Sequence, residues 1–418
     1  MLKTTRVLDP EVYSIVEAEL DRQEHNIEMI ASESTAPTPV MELSGCVFTN
    51  KTEEGLPGNR FQAGSEQADA IESLACRRAL ELYGAEYVNL QPYSGSAANY
   101  CVFNAVLNPG DKILSMRLDQ GGHLTHGSPV NFLRKVYEYD FYGVDKETEV
   151  IDYDALEDQA MAYKPKLLIT GASSYPRLID YERMAKIAKN CGAILMNDMA
   201  HIAGLVGAKV IPSPIPHCDF VSSSTTKTFC GPRAGMVFCK KEYEKALNKS
   251  VFPGTLGSIH LNTIAAKAYS FKYIGTPAFR EIMERVVRNA RALAKELQGY
   301  GFRIISGGTD NHIVMVDLRP KGLTGKSFEQ ALEYVGITVN KNMIPFDMES
   351  PFVCSGVRIG LTSTAQRGLE EDAIREIAEI MDKVAKDPEN MTNLDACKAQ
   401  ARALISRYPL YPAGYFED

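Results

Sequence analysis

The chain lacks the features of a membrane protein or of a disulfide-bonded secreted protein. It has no run of 18 apolar residues, and its first ten residues contain no apolar signal segment. Its nine cysteines are scattered singly without a C-x-x-C pair, which argues against a disulfide framework and a structural zinc site. We therefore expect a cytoplasmic protein with reduced thiols and no membrane partner.

The chain also lacks a cluster of basic residues, internal repeats and low-complexity segments. Its 45 Lys and Arg residues against 53 Asp and Glu residues give a formal net charge of -8. A nucleic-acid partner would require a compensating basic patch, so we expect none. A length of 418 residues with 45% hydrophobic and 23% charged residues is typical of a globular enzyme of two or three domains.

Strand-like and helix-like segments alternate through the middle of the chain, which predicts an α/β fold with a doubly wound, mainly parallel sheet. We expect strands at 113–116, 135–141, 167–170 and 193–197, and a further strand at 337–340 later in the chain. The later alternating segments, from about residue 303, predict a smaller α+β domain. We predict an N-terminal arm at 1–55, a large domain at 56–280 and a small C-terminal domain at 281–418.

One lysine and one acid stand out in the large domain. Asp198 ends the buried strand at 193–197, and Lys227 follows a run of small hydroxyl residues and precedes a Gly-Pro turn. An acid at the carboxyl end of a buried strand with a lysine on such a loop suggests a pyridoxal-phosphate site, because the acid would pair with the ring nitrogen and the lysine would form the Schiff base. The alternative is a solvated loop lysine and a helix-capping aspartate.

Two loops strengthen the cofactor interpretation. Ser94-Gly95-Ser96 leads from a short strand into a helix of small residues, where backbone N–H groups and hydroxyls could bind a phosphate. A plain N-cap explains the same pattern. His123 and His126 have a spacing compatible with metal binding, but no third ligand lies near them in sequence. We therefore predict no metal and favour a ring stacked on a planar cofactor.

Several motifs together carry a family resemblance from about residue 10 to about residue 410. The chain resembles the serine hydroxymethyltransferases, pyridoxal-phosphate enzymes of fold type I (aspartate aminotransferase-like). The motifs are Met29-Ile30-Ala31-Ser32-Glu33, Thr49-Asn50-Lys51, Pro57-Gly58, Ser94-Gly95-Ser96, Gly121 to Pro129, Asp198-Met199-Ala200-His201, Lys227-Thr228, Gly231-Pro232-Arg233 and Ser355-Gly356-Val357-Arg358.

The resemblance implies how pyridoxal 5'-phosphate would be bound. Lys227 would carry the cofactor covalently, Asp198 would pair with the pyridinium nitrogen, and His123 would stack on the ring. Positions that match the remaining cofactor contacts of the family are His201 and Ser174 near the 3-hydroxyl, Ser94, Gly95 and Ser96 at the phosphate, and Gly257 from a partner subunit.

The resemblance also implies two substrates, a small 2-amino acid and tetrahydrofolate, in one-carbon and amino-acid metabolism. Arg358, helped by Ser32, would bind the amino-acid carboxylate. Glu54 would be the proton-transfer acid, supplied by the partner chain in a homodimer or homotetramer. Leu118, Gly122, Leu124 and Asn342 match positions that line the folate pocket.

The chain departs from the family pattern within the site itself. Thr52 replaces an aromatic hydroxyl, Phe61-Gln62 replaces a pair of tyrosines, and Thr226 replaces the histidine before the lysine. The loop at 254–258 has also lost a Gln and a Gly. Thr52, Gln62 and Thr226 are therefore the substrate-side positions at which we expect altered behaviour.

Three interpretations follow from these departures. The smaller Thr52 leaves space beside the amino-acid α-carbon, so the substrates could be α-methylserine and alanine in place of, or in addition to, serine and glycine. Loss of the groups equivalent to Gln62 and Thr226 could instead indicate a folate-independent aldolase, racemase or transaminase. A non-catalytic paralogue is the third alternative, and intact Lys227, Asp198, His201 and Arg358 argue against it.

Overall fold

The computed structural model describes residues 3–411 and separates into two compact units. The larger unit comprises residues 36–284, and the described residues of the smaller unit are 3–35 and 285–411. Residues 36–55, which the sequence assigns to the arm, therefore group with the larger unit. Residues 1–2 and 412–418 of the predicted domains lie outside the described residues.

Within residues 3–411, the strands are β1 (Ile27–Glu28), β2 (Gly55–Leu56), β3 (Asn59–Arg60), β4 (Tyr87–Asn89), β5 (Lys112–Met116), β6 (Glu138–Tyr142), β7 (Leu167–Thr170), β8 (Ile194–Asp198), β9 (Phe220–Ser224), β10 (Gly235–Cys239), β11 (Arg303–Ile304), β12 (Ile313–Asp317), β13 (Ile337–Thr338), β14 (Asn340–Asn342) and β15 (Gly356–Gly360).

Over the same residues, the α-helices are α1 (Lys3–Leu8), α2 (Pro10–His25), α3 (Thr38–Ser44), α4 (Glu66–Tyr83), α5 (Gly95–Val106), α6 (Tyr153–Tyr163), α7 (Tyr181–Cys191), α8 (Ala203–Gly207), α9 (Glu244–Lys249), α10 (Leu261–Ile274), α11 (Pro277–Gly299), α12 (Gly325–Tyr334), α13 (Thr362–Gln366), α14 (Glu371–Lys386) and α15 (Met391–Ile405). No described helix combines the length and the apolar character needed to span a bilayer.

The larger unit is built on a seven-stranded sheet with the order β4-β10-β9-β8-β7-β5-β6. Strands β9, β8, β7, β5 and β6 pair in parallel, and β10 runs antiparallel to both of its neighbours. The sheet is therefore mixed but mainly parallel, as the alternating sequence pattern predicts. Because the parallel strands share one direction, their carboxyl ends meet at one edge of the sheet, which is where ligands bind in such folds.

The core of this unit lies between α5 and the sheet. Phe103 and Val102 of the helix are fully buried with Ile169, Met196 and Phe220 of the strands. Full burial of such a side chain contributes roughly 1.5–3 kcal/mol, so this contact fixes α5 against the strand ends. The N-terminus of α5 and the carboxyl ends of β8 and β9 are thereby held in one place.

The smaller unit contains an antiparallel sheet with the order β11-β12-β15-β14 and a parallel pair formed by β1 and β13. Helices α14 and α15 bury apolar faces in this unit. The described residues of this unit thus combine an antiparallel sheet with packed helices.

Two predicted strands differ from the observed ones. The segment 135–137 is not extended, because Asn131 caps a short 3₁₀ turn at Phe132–Lys135 and the strand begins only at Glu138. The segment 337–340 divides into two strands because it changes partner: Ile337 pairs with Ile27, whereas Asn340 pairs with Arg358.

Candidate active site

Asp198 and Lys227 lie at the same edge of the large sheet. Asp198 is the last residue of β8 and stands opposite Ser222 of the neighbouring parallel strand β9. Lys227 begins a 3₁₀ turn shortly after β9 and has a φ of 53°, a left-handed conformation that costs energy in a residue with a side chain. Such strain is concentrated at functional sites.

Asp198 is buried and accepts three hydrogen bonds. Its Oδ2 accepts from Asn99 Nδ2 at 2.9 Å and lies 3.2 Å from His126 Nε2, and its Oδ1 accepts from the Ala200 amide at 3.0 Å. The His123 amide donates to His126 Nδ1 at 3.4 Å, so in neutral His126 the proton resides on Nε2 and points at Asp198.

The electrostatics of the pocket keep Asp198 ionised. Burial by itself raises the pKa of this carboxyl, but the hydrogen bond from His126 and the nearby charges of His126, His123 and Lys227 hold its pKa well below the usual range. A carboxylate offers about four acceptor positions. The three bonds described leave one acceptor position on the Asp198 carboxylate. A protonated ring nitrogen could donate its hydrogen bond there.

His123 belongs to the same network. Thr125 Oγ1 accepts from Asn99 Nδ2 at 2.8 Å and lies 2.8 Å from His123 Nδ1, which also accepts from the Thr125 amide. No third ligand lies near the two histidines in sequence, but Asp198, distant in the chain, offers an oxygen within 4.8 Å of ligand atoms on His123 and His126. That oxygen is engaged by Asn99 and His126, which suits an organic cation better than a bare metal ion.

The segment Ser94–Ser96 forms the N-terminus of α5. Ser94 is the N-cap, and its Oγ accepts from the Ala97 amide at 3.1 Å, as the capping alternative requires. The amides of Gly95 and Ser96 belong to the first turn, where helix geometry supplies no acceptor, so this end also suits a phosphate.

Gly235 of β10 packs tightly under the phosphate-binding segment. A Cβ at Gly235 would lie 2.2 Å from the Ser94 carbonyl oxygen, and a Cβ at Gly95 would lie 3.3 Å from Ser224 Cβ. The α5 terminus is therefore pressed against the ends of β9 and β10 with no space for added side chains. A phosphorylated pyridine aldehyde fits this site: the start of α5 suits the phosphate, the Asp198 carboxylate suits the ring nitrogen, and the Lys227 amine suits the aldehyde.

The other predicted cofactor residues lie on neighbouring loops of the large unit. His201 is buried, and its carbonyl accepts from Thr228 Oγ1 at 2.8 Å. The Ser174 amide donates to the Gly121 carbonyl at 3.3 Å. This bond joins the loop after β7 to the loop after β5 (residues 117–129), which carries His123 and His126 and is called the histidine loop below. Thr226 Oγ1 lies 2.9 Å from Ser224 Oγ.

The predicted folate positions divide between the units. Leu118 and Leu124 are half exposed on the histidine loop, at 41% and 50% exposure. Gly122 has no space for a side chain, because a Cβ there would lie 2.2 Å from the Met116 carbonyl oxygen. Asn342 lies on β14 of the smaller unit and donates to the Met343 carbonyl at 2.6 Å.

A second cluster surrounds Glu54. The Glu54 amide donates to Gln62 Oε1 at 2.8 Å, and Gln62 Nε2 donates to Glu54 Oε2 at 3.2 Å. A Cβ at Gly257 would lie 3.9 Å from Glu54 Oε1. The structure thus brings Glu54, Gln62 and Gly257 of one chain together. Thr52, two residues before Glu54, is exposed.

The smaller unit contains the predicted carboxylate-binding residues. Arg358 of β15 stands opposite Asn340 of β14, and its Nε donates to Asn340 Oδ1 at 3.1 Å. Burial lowers the pKa of the Arg358 guanidinium to about 10, so it remains charged at neutral pH. Ala31 packs closely against Gly360, which lies two residues after Arg358 on β15. Ser32, the next residue after Ala31, is therefore held near this strand.

Sequence reasoning missed two residues that orient these charged groups. Asn99 lies one helical turn after Gly95 and so faces the same side as the phosphate-binding end, a spacing that could have identified it. Asn340 alternates with Asn342 on one strand, but its pairing with Arg358 depends on the register of β14 and β15. Register between distant segments leaves little trace in a single sequence.

A mixed, mainly parallel α/β sheet with a carboxylate and a lysine at one edge is the arrangement expected of a pyridoxal-phosphate-dependent enzyme of fold type I. A family model described as "Serine hydroxymethyltransferase" matches residues 5–381 of the chain. The chain belongs to the serine hydroxymethyltransferase family, a family of pyridoxal-phosphate-dependent transferases. The chemistry of this family is hydroxymethyl transfer in which tetrahydrofolate generally takes part.

Proposed function

We propose that the protein transfers a hydroxymethyl group between a small 2-amino acid and tetrahydrofolate, and that it accepts α-methylserine and alanine in addition to, or in place of, serine and glycine. Family membership supports the reaction class. The observation that carries the proposed substrate is Thr52, an exposed small residue at the position where the family has an aromatic hydroxyl.

The residues of the large unit support cofactor binding. Asp198, kept ionised by His126 and Asn99, would hold the ring nitrogen in its protonated form, and the amides at the start of α5 would bind the phosphate. When bound, pyridoxal phosphate withdraws electrons from the α-carbon of the amino acid. Lys227 would carry the cofactor covalently and His123 would stack on its ring.

Three further residues would select and activate the substrate. Arg358, held by Asn340, would bind the carboxylate through two parallel hydrogen bonds. Glu54 would exchange a proton with the substrate beside the folate. A tyrosine ring at position 52 would fill space that Thr52 leaves open, and the methyl group that distinguishes alanine from glycine is of the size that such a space accepts.

We also propose a homodimer or larger assembly. Glu54, Gln62 and Gly257 match positions that the family supplies across a subunit boundary, and in this chain they cluster together. This clustering supports their delivery as one group to the site of a partner subunit.

The test is a competition between amino acids. The purified protein is incubated with methylenetetrahydrofolate and either D-alanine or glycine, and the new amino acid is identified by chromatography. We expect α-methylserine to form from D-alanine. If only glycine is converted, the substrate shift is wrong although the reaction class stands.

A folate-independent aldolase, racemase or transaminase is the alternative. It is favoured by Gln62 and Thr226, since neither side chain can act as an acid or base in the manner of the residues it replaces. Retention of Glu54 and of the histidine loop supports folate use. Turnover measured with and without tetrahydrofolate separates the two: rates that are equal in both would favour the alternative.

A further inference from the structure

Gln62 and Glu54 form a reciprocal pair within the β2–β3 segment. The Glu54 amide donates to Gln62 Oε1 at 2.8 Å, while Gln62 Nε2 donates to Glu54 Oε2 at 3.2 Å. The first bond decides the orientation of the glutamine amide, because only its oxygen can accept from a backbone N–H. The NH₂ group must then face the Glu54 carboxylate.

The backbone beside Glu54 is also anchored by residues other than Gln62. The neighbouring Glu53 is fully buried, accepts from Ser65 Oγ at 2.7 Å and pairs with Lys51 at 2.6 Å. The Glu53 carbonyl also accepts from the Ile259 amide at 2.9 Å. Gln62 therefore adds one bond to a main chain that its neighbours already hold, and one bond to the Glu54 carboxylate.

The pair distinguishes the two oxygens of the carboxylate. Oε2 is the oxygen that accepts from Gln62, whereas Oε1 is the atom nearest to a Cβ built on Gly257, at 3.9 Å. A glutamine amide neither gives nor takes a proton near neutral pH, unlike a phenol, which can do both. Proton exchange in this cluster would therefore fall to Glu54 through Oε1.

We propose that Gln62 is a positioning residue, which fixes the Glu54 carboxylate by its Oε2 and leaves Oε1 to exchange the proton with the substrate. This inference rests on the proposed function of Glu54. It gives the replacement of a family tyrosine by Gln62 a definite role: this chain retains a donor to the acid but removes a second acid–base group.

The kinetic test replaces Gln62 by methionine, which has a similar length and no donor. Loss of a hydrogen bond to a charged group corresponds to roughly a 10-fold to 100-fold effect. We expect Gln62→Met to lower kcat by about that factor and to change KM for the amino acid by less than about twofold. Gln67→Met, on the exposed side of α4, is the matched control and should leave both unchanged.

A second measurement reports the pair without cofactor or activity. Thermal unfolding of the apoprotein is compared for wild type, Gln62→Met, Glu54→Met and the double variant. We expect non-additive shifts of the melting temperature, because each single change already breaks the same pair. Additive shifts of the melting temperature together with an unchanged kcat in Gln62→Met would overturn the inference. If the melting-temperature shifts are non-additive but the wild-type protein shows no hydroxymethyl transfer, the Gln62–Glu54 pair exists. Its proposed role and the proposed function are then both wrong.

Discussion

Asn99 Nδ2 lies 2.9 Å from Asp198 Oδ2, although the two residues are 99 positions apart in the chain. The same Asn99 accepts from Ser222 Oγ at 2.5 Å through its Oδ1, so its amide orientation is fixed by the end of β9. The proposed ring-nitrogen partner is therefore oriented by both α5 and β9.

Replacing Asn99 by alanine should weaken cofactor binding without unfolding the protein. The variant loses a donor to a buried carboxylate, and hydrogen bonds to charged groups contribute roughly 1.5–3 kcal/mol. We expect the dissociation constant of pyridoxal phosphate, measured by absorbance titration of the apoprotein, to rise about 10-fold to 100-fold. Asn104→Ala, on the same helix but bonded to Ser250, should leave it unchanged. Equal affinity in both variants would show that Asn99 does not support Asp198.

Gly235→Ala should also weaken cofactor binding, through the phosphate. The added Cβ would lie 2.2 Å from the Ser94 carbonyl oxygen, so the start of α5 has to move away. Overpacking of this kind costs roughly 1–3 kcal/mol. We expect weaker binding of both pyridoxal phosphate and free phosphate in calorimetry. Gly299→Ala, where nothing lies within 4 Å of the new Cβ, is the control.

Local chemistry explains which parts of the site were predictable from the sequence. Asp198 and Lys227 follow buried strands, and parallel strands bring their carboxyl ends together, so the sequence alone indicated their proximity. The bonds that orient the charged groups were not predictable in this way. Asn99 looks like an ordinary helical residue, and Asn340 meets Arg358 only because β14 and β15 pair in one register.

Arg358→Lys should impair binding of the amino acid more than turnover. Lysine keeps the charge but cannot form two parallel hydrogen bonds to a carboxylate. We expect KM for the amino acid to rise about 10-fold to 100-fold while kcat changes much less. Arg319→Lys is the control, because this half-exposed arginine lies in the turn after β12 and pairs with Asp317. A large fall in kcat at unchanged KM would argue against a carboxylate-binding role.

Lys267 should make stability depend on pH. It is buried, its Nζ donates to the carbonyls of Leu90 and Gly235 at 2.5 and 2.7 Å, and burial lowers its pKa to about 7 against the attraction of Glu72. The unfolded chain keeps this proton up to about pH 10. Unfolding therefore takes up a proton between about pH 7 and pH 10, and the contribution of Lys267 to stability rises with pH across that window.

This dependence can be measured by urea unfolding of wild type and Lys267→Met at pH 7, 8 and 9. Each unit of pKa shift corresponds to about 1.4 kcal/mol, so the advantage of wild type over the variant should grow by a few kcal/mol as the pH rises. Lys272→Met, which removes an exposed lysine from the same helix, should follow the wild-type curve. A constant difference across the range would mean that Lys267 does not titrate in this window.

The assignment of Lys227 as the cofactor-bearing residue can be tested by locating pyridoxal phosphate on the chain. The purified protein is loaded with pyridoxal phosphate, reduced with borohydride, digested and analysed by mass spectrometry. We expect one modified peptide with the pyridoxyl group on Lys227, and no such modification in Lys227→Ala. A pyridoxyl group on another lysine, or none on any peptide of the loaded wild-type protein, would contradict this assignment.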